Sequence, residues 1–456
     1  MPRPARAASK LPQELLDSDD ERVKVAVTDV DGVLRGKFMS KDKLASAAAS
    51  GFGFCNVVFG WDAADACYDN AEYTGWHTGY PDATARIDLS TYRRVPWEGN
   101  VPFFLGEFVA DDGQPLDVDP RQLLKRVVAR AQKMGHSPVF GMEFEWFNFR
   151  ETPSSFAAKG YRDPAPITPG MFGYSVLRAG QNEPYFRAIM DEMRAFGVPV
   201  EGLHTETGPG VLEAALGPAG AVEAADRAVL FKTGVKHIAQ RFGILPSFMA
   251  KWNQKLPGCS GHVHQSLTDA KGKNAFFAED AEHHMSPVFR SYLAGQMKCL
   301  PEILPMFAPT VNSYKRLVDG YWAPTKVAWG VDNRTTAFRA IPAGAKATRL
   351  ETRVPGSDVN PYLAIAACLA SGLHGVEKKL ELRDAPVEGS AYLDKKAQRL
   401  PRNLQEATQR MADSKLAREL FGEGFVDHFV KTREWEWRQF QDAVTDWETQ
   451  RYFEIV

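Results

Sequence analysis

The sequence is poor in cysteine, and the few cysteines it has are scattered. None of them forms a C-x-x-C pair, so a disulfide framework and a cysteine zinc site are both unexpected. A reducing, cytoplasmic environment is the expectation that fits this usage. The five positions are Cys55, Cys67, Cys259, Cys299 and Cys368.

An excess of positive charge and long apolar runs are also missing. Lys and Arg total 55 against 57 Asp and Glu, for a net charge of −2, so no nucleic-acid partner is expected. The longest apolar stretches, such as 364–370, are too short to cross a bilayer, so no membrane association is expected. Basic residues near the N-terminus have no apolar segment behind them, which argues against a secretory signal. Residues 1–20 are predicted to be a disordered tail.

Glycine-rich nucleotide loops are absent as well. The chain has neither a G-x-x-x-x-G-K-[ST] loop nor a G-x-G-x-x-G motif after a strand, so bound ATP would have to be held by metals and arginines. The segment Asp29-Val-Asp-Gly32 resembles the DxDG nucleophile loop of haloacid-dehalogenase-type phosphatases. That family also needs a downstream acidic motif after a strand, and no convincing one is found, so a phosphatase is disfavoured.

The chain is long enough for two domains. Apolar segments at 23–28 and 33–39 flank a turn and predict a hairpin, and strands and loops continue to about residue 117. We therefore expect a small β-rich domain over 21–117 and a larger domain over 118–456. In the latter, N-caps, helix stops and apolar periodicity predict helices at 119–135, 184–196 and 221–242 and a strand at 138–149.

Polar side chains recur two residues apart inside apolar, strand-like segments. Residues two apart in a strand point to the same face, so each pair is expected to project into one cavity. A single pair could equally belong to a solvent-exposed strand face, but three pairs that suit metals or phosphates make that alternative weaker. The pairs are Glu143 with Glu145, His262 with His264, and Glu351 with Arg353.

Two further carboxylates and a group of arginines complete the candidate site. Glu206 and Glu213 flank a Gly-Pro-Gly turn that lets both face one site, although each could also be a surface acid. Carboxylates with one imidazole suit Mg²⁺ or Mn²⁺, and arginines bind carboxylates and phosphates. The candidate arginines are Arg316, Arg334, Arg339, Arg349 and Arg353.

Three longer motifs resemble signatures of the glutamine synthetase superfamily: Asn312-Ser-Tyr-Lys-Arg-Leu-Val, His262-Val-His-Gln-Ser-Leu and Asn360-Pro-Tyr-Leu-Ala. The similarity extends from about Val23 to the C-terminal region. It implies an α+β fold, with an N-terminal β-grasp domain and a C-terminal α/β catalytic domain of the glutamine synthetase type. It also implies ATP as co-substrate, Mg²⁺ or Mn²⁺, and a double-ring dodecamer whose active sites lie between subunits.

The resemblance further implies a role for each candidate residue. The first metal would be held by Glu145, Glu206 and Glu213, and the second by Glu143, His262 and Glu351. Glu206 is also assigned to catalysis, and Arg334 would stabilise phosphoryl transfer. Glutamate and the transferred phosphoryl group would be bound by Arg316 and Arg353 beside Gly258. The nucleotide would be bound by His264, Ser266, Arg339 and Arg349.

The sequence departs from the ammonia-using members at the positions expected to surround the incoming ammonia or amine. Trp322 stands where their flap carries a glutamate, and Pro257 replaces the Asn before the glycine matched by Gly258. In the altered loop of the small domain, Asp62 is the candidate proton acceptor and Asp65 the fallback. No adenylylation segment is recognisable near Tyr392.

These departures predict a ligase that joins the γ-carboxylate of glutamate to a primary organic amine through γ-glutamyl phosphate. Aromatic residues expected around the loop favour an apolar amine over a polycation. They are Trp61, Trp322, Trp329 and, as a further substrate-binding candidate, Tyr174. Alkylamines, polyamines, ethanolamine and aromatic amines all remain open. The alternatives are an ammonia-using glutamine synthetase and a non-catalytic relative.

Overall fold

The first part of the chain forms a small mixed domain. The computed structural model describes residues 11–456. In the order of the chain, the first elements are α1 (Gln13–Leu16), β1 (Arg22–Thr28), β2 (Leu34–Ser40), α2 (Lys41–Ser50), β3 (Phe52–Cys55), β4 (Asp82–Ile87), β5 (Arg93–Val95) and β6 (Val101–Val109). The strands form one sheet in the order β2-β1-β6-β4-β3, with β5 also paired to β6. Strands β1 and β2 pair antiparallel from Arg22 opposite Ser40 to Thr28 opposite Leu34, which confirms the predicted hairpin.

The larger part contains the remaining helices and strands. They are α3 (Pro120–Lys133), β7 (Ser137–Phe149), α4 (Pro153–Ala158), α5 (Val176–Gln181), α6 (Glu183–Ala195), β8 (Val200–Thr205), β9 (Val211–Leu216), β10 (Ala219–Gly220), α7 (Ala221–Gln240), β11 (Leu245–Ser247), β12 (Gly261–Thr268), α8 (Pro287–Cys299), α9 (Ser313–Arg316), β13 (Trp329–Val331), β14 (Phe338–Ile341), β15 (Arg349–Thr352), α10 (Pro361–Glu377), α11 (Leu404–Asp413), α12 (Lys415–Phe421), α13 (Glu423–Asp442) and α14 (Asp446–Tyr452). The three predicted helices and the predicted strand are confirmed as α3, α6, α7 and β7, with ends within three residues of those expected.

A nine-stranded sheet carries the larger domain. Its main order is β13-β14-β15-β12-β7-β9-β8, and β10 and β11 pair with β7. Strand β7 is the longest, with 13 residues, and most of its side chains are buried. Helix α10 is buried along nearly its whole length and contacts α3, α7 and α8, so the helices form a core layer against the sheet. No helix within residues 11–456 combines the length and apolarity that a membrane span needs.

Part of the segment expected to be a disordered tail is ordered. Residues 1–10 lie outside the described residues, but α1 follows them, and Leu15 is fully buried. Glu14 and Asp20 both pair with Arg94. The prediction was wrong for residues 11–20 because a short polar segment with one apolar side chain gives little local signal, while its docking site is formed by distant residues.

The Asp29-Val-Asp-Gly32 turn joins the two domains. Asp31 pairs with Arg433 of α13 at 2.7 Å, and the Asn360 side-chain amide donates to the carbonyl of Val30 at 2.9 Å. Gly32 has φ +80°, and a Cβ there would lie 3.1 Å from the Cα of Asn360. Asp29 is buried, and its carboxylate accepts hydrogen bonds from backbone amides within the same turn. The motif therefore forms an interdomain contact, which differs from the open nucleophile loop of a phosphatase.

Candidate functional site

Strand pairing brings the predicted acids and histidines side by side on the larger sheet. Two of the three pairs lie wholly within strands, on β7 and β12. Of the third pair, Glu351 lies on β15 and Arg353 follows its last residue. Their positions are directly cross-strand, so residues more than 60 positions apart in sequence become neighbours. The cross-strand pairs are His262 with Glu143, Glu145 with Glu213, and His264 with Glu351. This is the convergence that the spacing predicted.

These side chains open into a cavity of about 480 Å³. Carboxylates, guanidinium groups and aromatic rings all contribute to its lining. Its lining includes eleven of the candidate residues: Glu143, Glu145, Glu206, Glu213, His262, Gly258, Arg316, Arg334, Arg353, Trp322 and Tyr174. Thr207, Pro257, Ser260 and Tyr321 complete it.

One group of possible metal ligands lies where β8 and β9 meet. Ligand atoms of His204, Glu206 and Glu213 all lie within 4.8 Å of one another. The Oε2 atom of Glu206 is buried and lacks a hydrogen-bond partner among the described residues. Glu145, expected as the third ligand here, lines the same cavity but accepts a hydrogen bond from the Ser260 amide at 2.6 Å. His204 therefore occupies the place nearest the two carboxylates.

A second group lies on β7, β12 and β15. Glu143, His264 and Glu351 bring ligand atoms within 4.8 Å of one another. His262, which was expected here, is also close, because its Nδ1 lies 3.1 Å from Glu143 and 3.2 Å from Glu351. Its Nε2 is buried and has no partner within the described chain. His264 lies 3.3 Å from Glu143, so it borders this group as well as the predicted nucleotide side.

The charges of the site are strongly perturbed by burial and by one another. Burial, with the nearby Glu213 carboxylate, raises the pKa of Glu145 to about 8. Burial and Arg353 lower the pKa of His262 to about 4. For Glu143, burial acts to raise the pKa, but hydrogen bonds from His262 and His264 outweigh it and hold the pKa well below its usual value. Like charges held this close in a buried place raise one another's free energy unless a cation neutralises them.

The donor set fits divalent cations. Oxygen ligands with an occasional imidazole suit Mg²⁺ and Mn²⁺, and both groups consist of carboxylates with a histidine. The buried and unpartnered Glu206 oxygen and His262 nitrogen are free to coordinate an ion. The carboxylates of the two groups and His262 would hold the metals, with His204 beside Glu213. The metals would offset negative charge on a phosphoryl group and polarise it.

Three arginines, Arg316, Arg334 and Arg353, line the same cavity as the carboxylates. Arg316 and Arg353 are buried, and Arg316 donates to the carbonyl of Val354 at 2.9 Å, which fixes its guanidinium. Burial lowers the pKa of Arg316. A Cβ at Gly258 would lie 2.3 Å from the Ala250 carbonyl oxygen and 2.8 Å from Cγ of Arg316, so only glycine fits there.

A second cavity of about 400 Å³ adjoins the first, because Glu143 lines both. His264, Ser266 and Arg349 line it, and Nε of Arg349 donates to His264 at 3.2 Å. Arg339, the remaining nucleotide candidate, is not among the residues that line either cavity and instead pairs with Glu351 at 2.8 Å.

The residues predicted to bind the amine lie at the cavity, whereas the predicted proton acceptors lie elsewhere. Trp322 and Tyr174 line the first cavity, are 58% and 65% exposed, and both have positive φ values of +59° and +55°. Trp322 and Arg334 also border an open cavity of about 550 Å³ on their other side. Bulky residues with positive φ, in the left-handed backbone region, are uncommon and cluster at ligand sites.

Asp62 and Asp65 lie outside the cavity of their own chain. The Asp62 carboxylate accepts hydrogen bonds from the amides of Ala64 and Ala66 and from the Trp435 indole, and Asp65 pairs with Arg35. An acceptor role for either residue therefore requires the loop of another subunit.

Two of the aromatic residues expected around the loop, Trp329 and Trp61, do not line the cavity of their own chain. Trp329 is 2% exposed on β13, and its indole donates to the carbonyl of Asp384, so it belongs to the core. Trp61 packs against the Arg35 guanidinium in the small domain. The expectation for Trp329 was wrong because proximity in sequence to the flap does not determine the side on which a strand buries its side chains. Trp61 lies beside Asp62, so its expected place near the acceptor stays a prediction that depends on another subunit.

His204 is the site residue that the sequence interpretation missed. It precedes Glu206 by two positions and so repeats the spacing of the other pairs. Tyr321 was missed as well, and its ring lies 4.2 Å from the Lys251 ammonium nitrogen. The His204 spacing was a usable signal, whereas nothing in the sequence distinguished Tyr321.

Comparison with known proteins assigns the family. Residues 117–452 match the family model described as the glutamine synthetase catalytic domain. The chain is 55% identical to type-1 glutamine synthetase 2 of Dictyostelium discoideum, over 95% of this chain and 84% of the relative. It is 40% identical to the gamma-glutamylethanolamide synthetase GlnA4 of Streptomyces coelicolor, over 96% and 93%, and 36% identical to a glutamate–isopropylamine ligase of a Pseudomonas species, over 96% and 95%.

A solved structure has the same fold. GmaS in complex with ADP superimposes with a TM-score of 0.85 at 27% identity, over 97% of this chain and 99% of that one. The arrangement of acids, histidines and arginines on the larger sheet, together with these similarities, shows that the chain belongs to the glutamine synthetase family.

Proposed function

We propose that the protein ligates the γ-carboxylate of glutamate to a primary organic amine, with conversion of ATP to ADP and phosphate. The observation that carries this proposal is Trp322 at the mouth of the cavity, where ammonia-using members of the family have a glutamate. An exposed indole offers an apolar and cation–π surface for an alkylammonium group. It does not offer the carboxylate that would anchor ammonium.

The first step is phosphorylation of the glutamate carboxylate. Arg316 and Arg353 would bind glutamate beside Gly258, and Arg334 would offset the charge that develops as the phosphoryl group moves. The cavity lined by Ser266 would hold the nucleotide and present its terminal phosphate near Glu143, which both cavities share. Divalent metals on the carboxylate groups would neutralise the phosphates.

The second step is attack of the amine on γ-glutamyl phosphate, with release of phosphate. Trp322 and Tyr174 would contact the substituent of the amine, and the open cavity behind Trp322 leaves room for it. Ammonium needs no such space. We propose Asp62 from a neighbouring subunit as the proton acceptor, in a double-ring dodecamer, and Asp65 as the fallback. We also propose a cytoplasmic location, supported by the five free thiols.

The relatives support an amine acceptor but leave a second candidate. One, at 36% identity, is named a glutamate–isopropylamine ligase, and another, at 40% identity, is named a gamma-glutamylethanolamide synthetase. The 55% identical relative is named a glutamine synthetase, which favours ammonia as the alternative acceptor.

An acceptor panel separates these candidates. Phosphate release from ATP and glutamate would be measured with purified enzyme and Mg²⁺ or Mn²⁺, using ammonium, methylamine, isopropylamine, ethanolamine, putrescine and aniline. We expect at least one organic amine to exceed ammonium in kcat/KM, and product masses to match the γ-glutamylamide. A higher kcat/KM for ammonium than for every amine would overturn the proposal.

A further inference from the structure

His204 contacts both halves of the active site. It lies on β8 directly opposite Glu213 of β9, and its Nε2 is 3.1 Å from a carboxylate oxygen of Glu213. Its Nδ1 lies 3.2 Å from the carbonyl of Thr205 and 3.8 Å from Glu206. The ring is therefore held at one edge by the strand and at the other by a carboxylate of the first metal group.

The face of the same ring supports Tyr174. The two ring centroids are 4.6 Å apart at an interplanar angle of 30°, which is a stacked arrangement. The Tyr174 backbone is tied to the same strand, because its amide donates to the Thr205 carbonyl at 2.6 Å, and the next amide donates to the Thr205 hydroxyl at 2.9 Å. Tyr174 is otherwise mostly exposed and lies in a strained left-handed conformation, so the imidazole face is the surface that fixes its phenol ring.

We propose that His204 is a positioning residue with two separable functions. Through Nε2 it orients Glu213 towards the first divalent cation, as outer hydrogen-bond partners of metal ligands commonly do. Through its ring face it holds Tyr174 against the substituent of the amine, and this second function rests on the proposed acceptor. The metal group and the acceptor wall are thereby joined through one side chain.

Two substitutions separate the functions. His204→Gln keeps an N–H donor for Glu213 but removes the aromatic face, whereas His204→Phe keeps the face and removes the donor. His237→Phe is the matched control, because His237 also stacks on an aromatic ring, Trp97, and lies near a carboxylate, but does not line the active-site cavity. Thermal unfolding of each variant would show that it folds.

Metal binding is measured first, by calorimetric titration of the nucleotide-free enzyme with Mn²⁺. For His204→Phe we expect the dissociation constant of one Mn²⁺ site to rise about 10- to 100-fold, in the range reported for lost outer-shell partners. For His204→Gln and His237→Phe it should stay within about threefold of the parent enzyme.

Acceptor use is measured next. For His204→Gln we expect the KM of the best organic amine to rise about fivefold, with the glutamate KM unchanged, because one aromatic stack is lost. His204→Phe at saturating Mn²⁺ should keep the parent amine KM.

The opposite responses of the two variants are the test. If both variants lost Mn²⁺ affinity and amine affinity to the same extent, His204 would have a merely structural role and the proposal would be overturned. Unchanged Mn²⁺ affinity in His204→Phe would also overturn it. Loss of a directly bound nitrogen coupling from the pulsed EPR spectrum of Mn²⁺ in His204→Phe would make His204 a ligand and also overturn it. Should ammonium exceed every amine, the proposed acceptor fails, while the Mn²⁺ measurements still decide the role of His204.

Discussion

Replacing Trp322 by glutamate should shift the enzyme from organic amines towards ammonium. The indole is 58% exposed at the cavity mouth, so it can be exchanged without opening the core. The new carboxylate would stand beside the proposed acceptor position, where the family resemblance places the flap glutamate of ammonia-using members. We therefore expect Trp322→Glu to lower kcat/KM for the best amine and to raise it for ammonium.

The size of the shift follows from the two contacts that change. Each methylene group of the amine that is removed from water contributes about 0.8 kcal/mol to its binding free energy. A half-exposed indole covers about two such groups. Without the indole, the amine therefore loses about 1.6 kcal/mol of binding free energy, which lowers its kcat/KM ~15-fold. A hydrogen bond to a charged partner contributes about 1.5–3 kcal/mol, and the lower end suits this open position, so ammonium gains about 1.5 kcal/mol, or ~12-fold. The ratio of the two kcat/KM values should change by roughly 100- to 200-fold.

The assay is phosphate release with ammonium and with the best amine, each over a full concentration range, for the parent enzyme and two variants. Trp322→Gln is the matched control, because it removes the indole without adding a charge. It should change the ratio of the two kcat/KM values by only ~15-fold, because only the contact between the amine and the indole is lost. An unchanged ratio in Trp322→Glu would refute the reasoning, and an equal change in both variants would refute the part that depends on charge.

Three further predictions concern the glutamate site, the pH dependence and the domain contact. Gly258→Ala should raise the glutamate KM at least about tenfold, because its Cβ would overlap Arg316, whereas Gly220→Ala, which meets no atom within 4 Å, should leave it unchanged. Burial lowers the pKa of His428 to about 4, below the unfolded value of about 6.5, so unfolded chains bind more protons as the pH falls from 6.5 to 4. The folded state should lose up to ~3.4 kcal/mol over that window, and His428→Phe should flatten the dependence of the unfolding midpoint on pH; parallel curves would contradict this. Arg433→Met breaks a buried ion pair between the domains and should lower the free energy of unfolding by about 3–5 kcal/mol in urea titrations; a loss below about 1 kcal/mol would contradict it.

Much of the local structure was predictable because its causes are local. Asp119 accepts hydrogen bonds from the amides of Arg121 and Gln122, as its place before Pro120 predicted, and α3 follows. The two-residue spacing on β7 and β12 placed each pair on one face because alternate strand residues point the same way. These effects involve residues within a few positions of one another, so the sequence carries them directly.

The choice of neighbours around the site depended on strand pairing. His204 and Glu213 are adjacent because β8 and β9 pair in one register, and a shift of one residue would turn either side chain to the opposite face. Glu145, on β7, accepts a hydrogen bond from the Ser260 amide, while His204 lies beside the two carboxylates. No pattern within one segment specifies which register a distant segment adopts.

The sequence by itself determined the chemical inventory: which acids, imidazoles and guanidinium groups exist, and which of them share a strand face. Tertiary structure alone decided that Trp329 is buried while Trp322 borders the cavity, and that residues 11–20 dock on the small domain. Local backbone geometry sets the direction of a side chain relative to its own strand. Burial depends on what the rest of the chain packs against that strand, and this is a property of the whole fold.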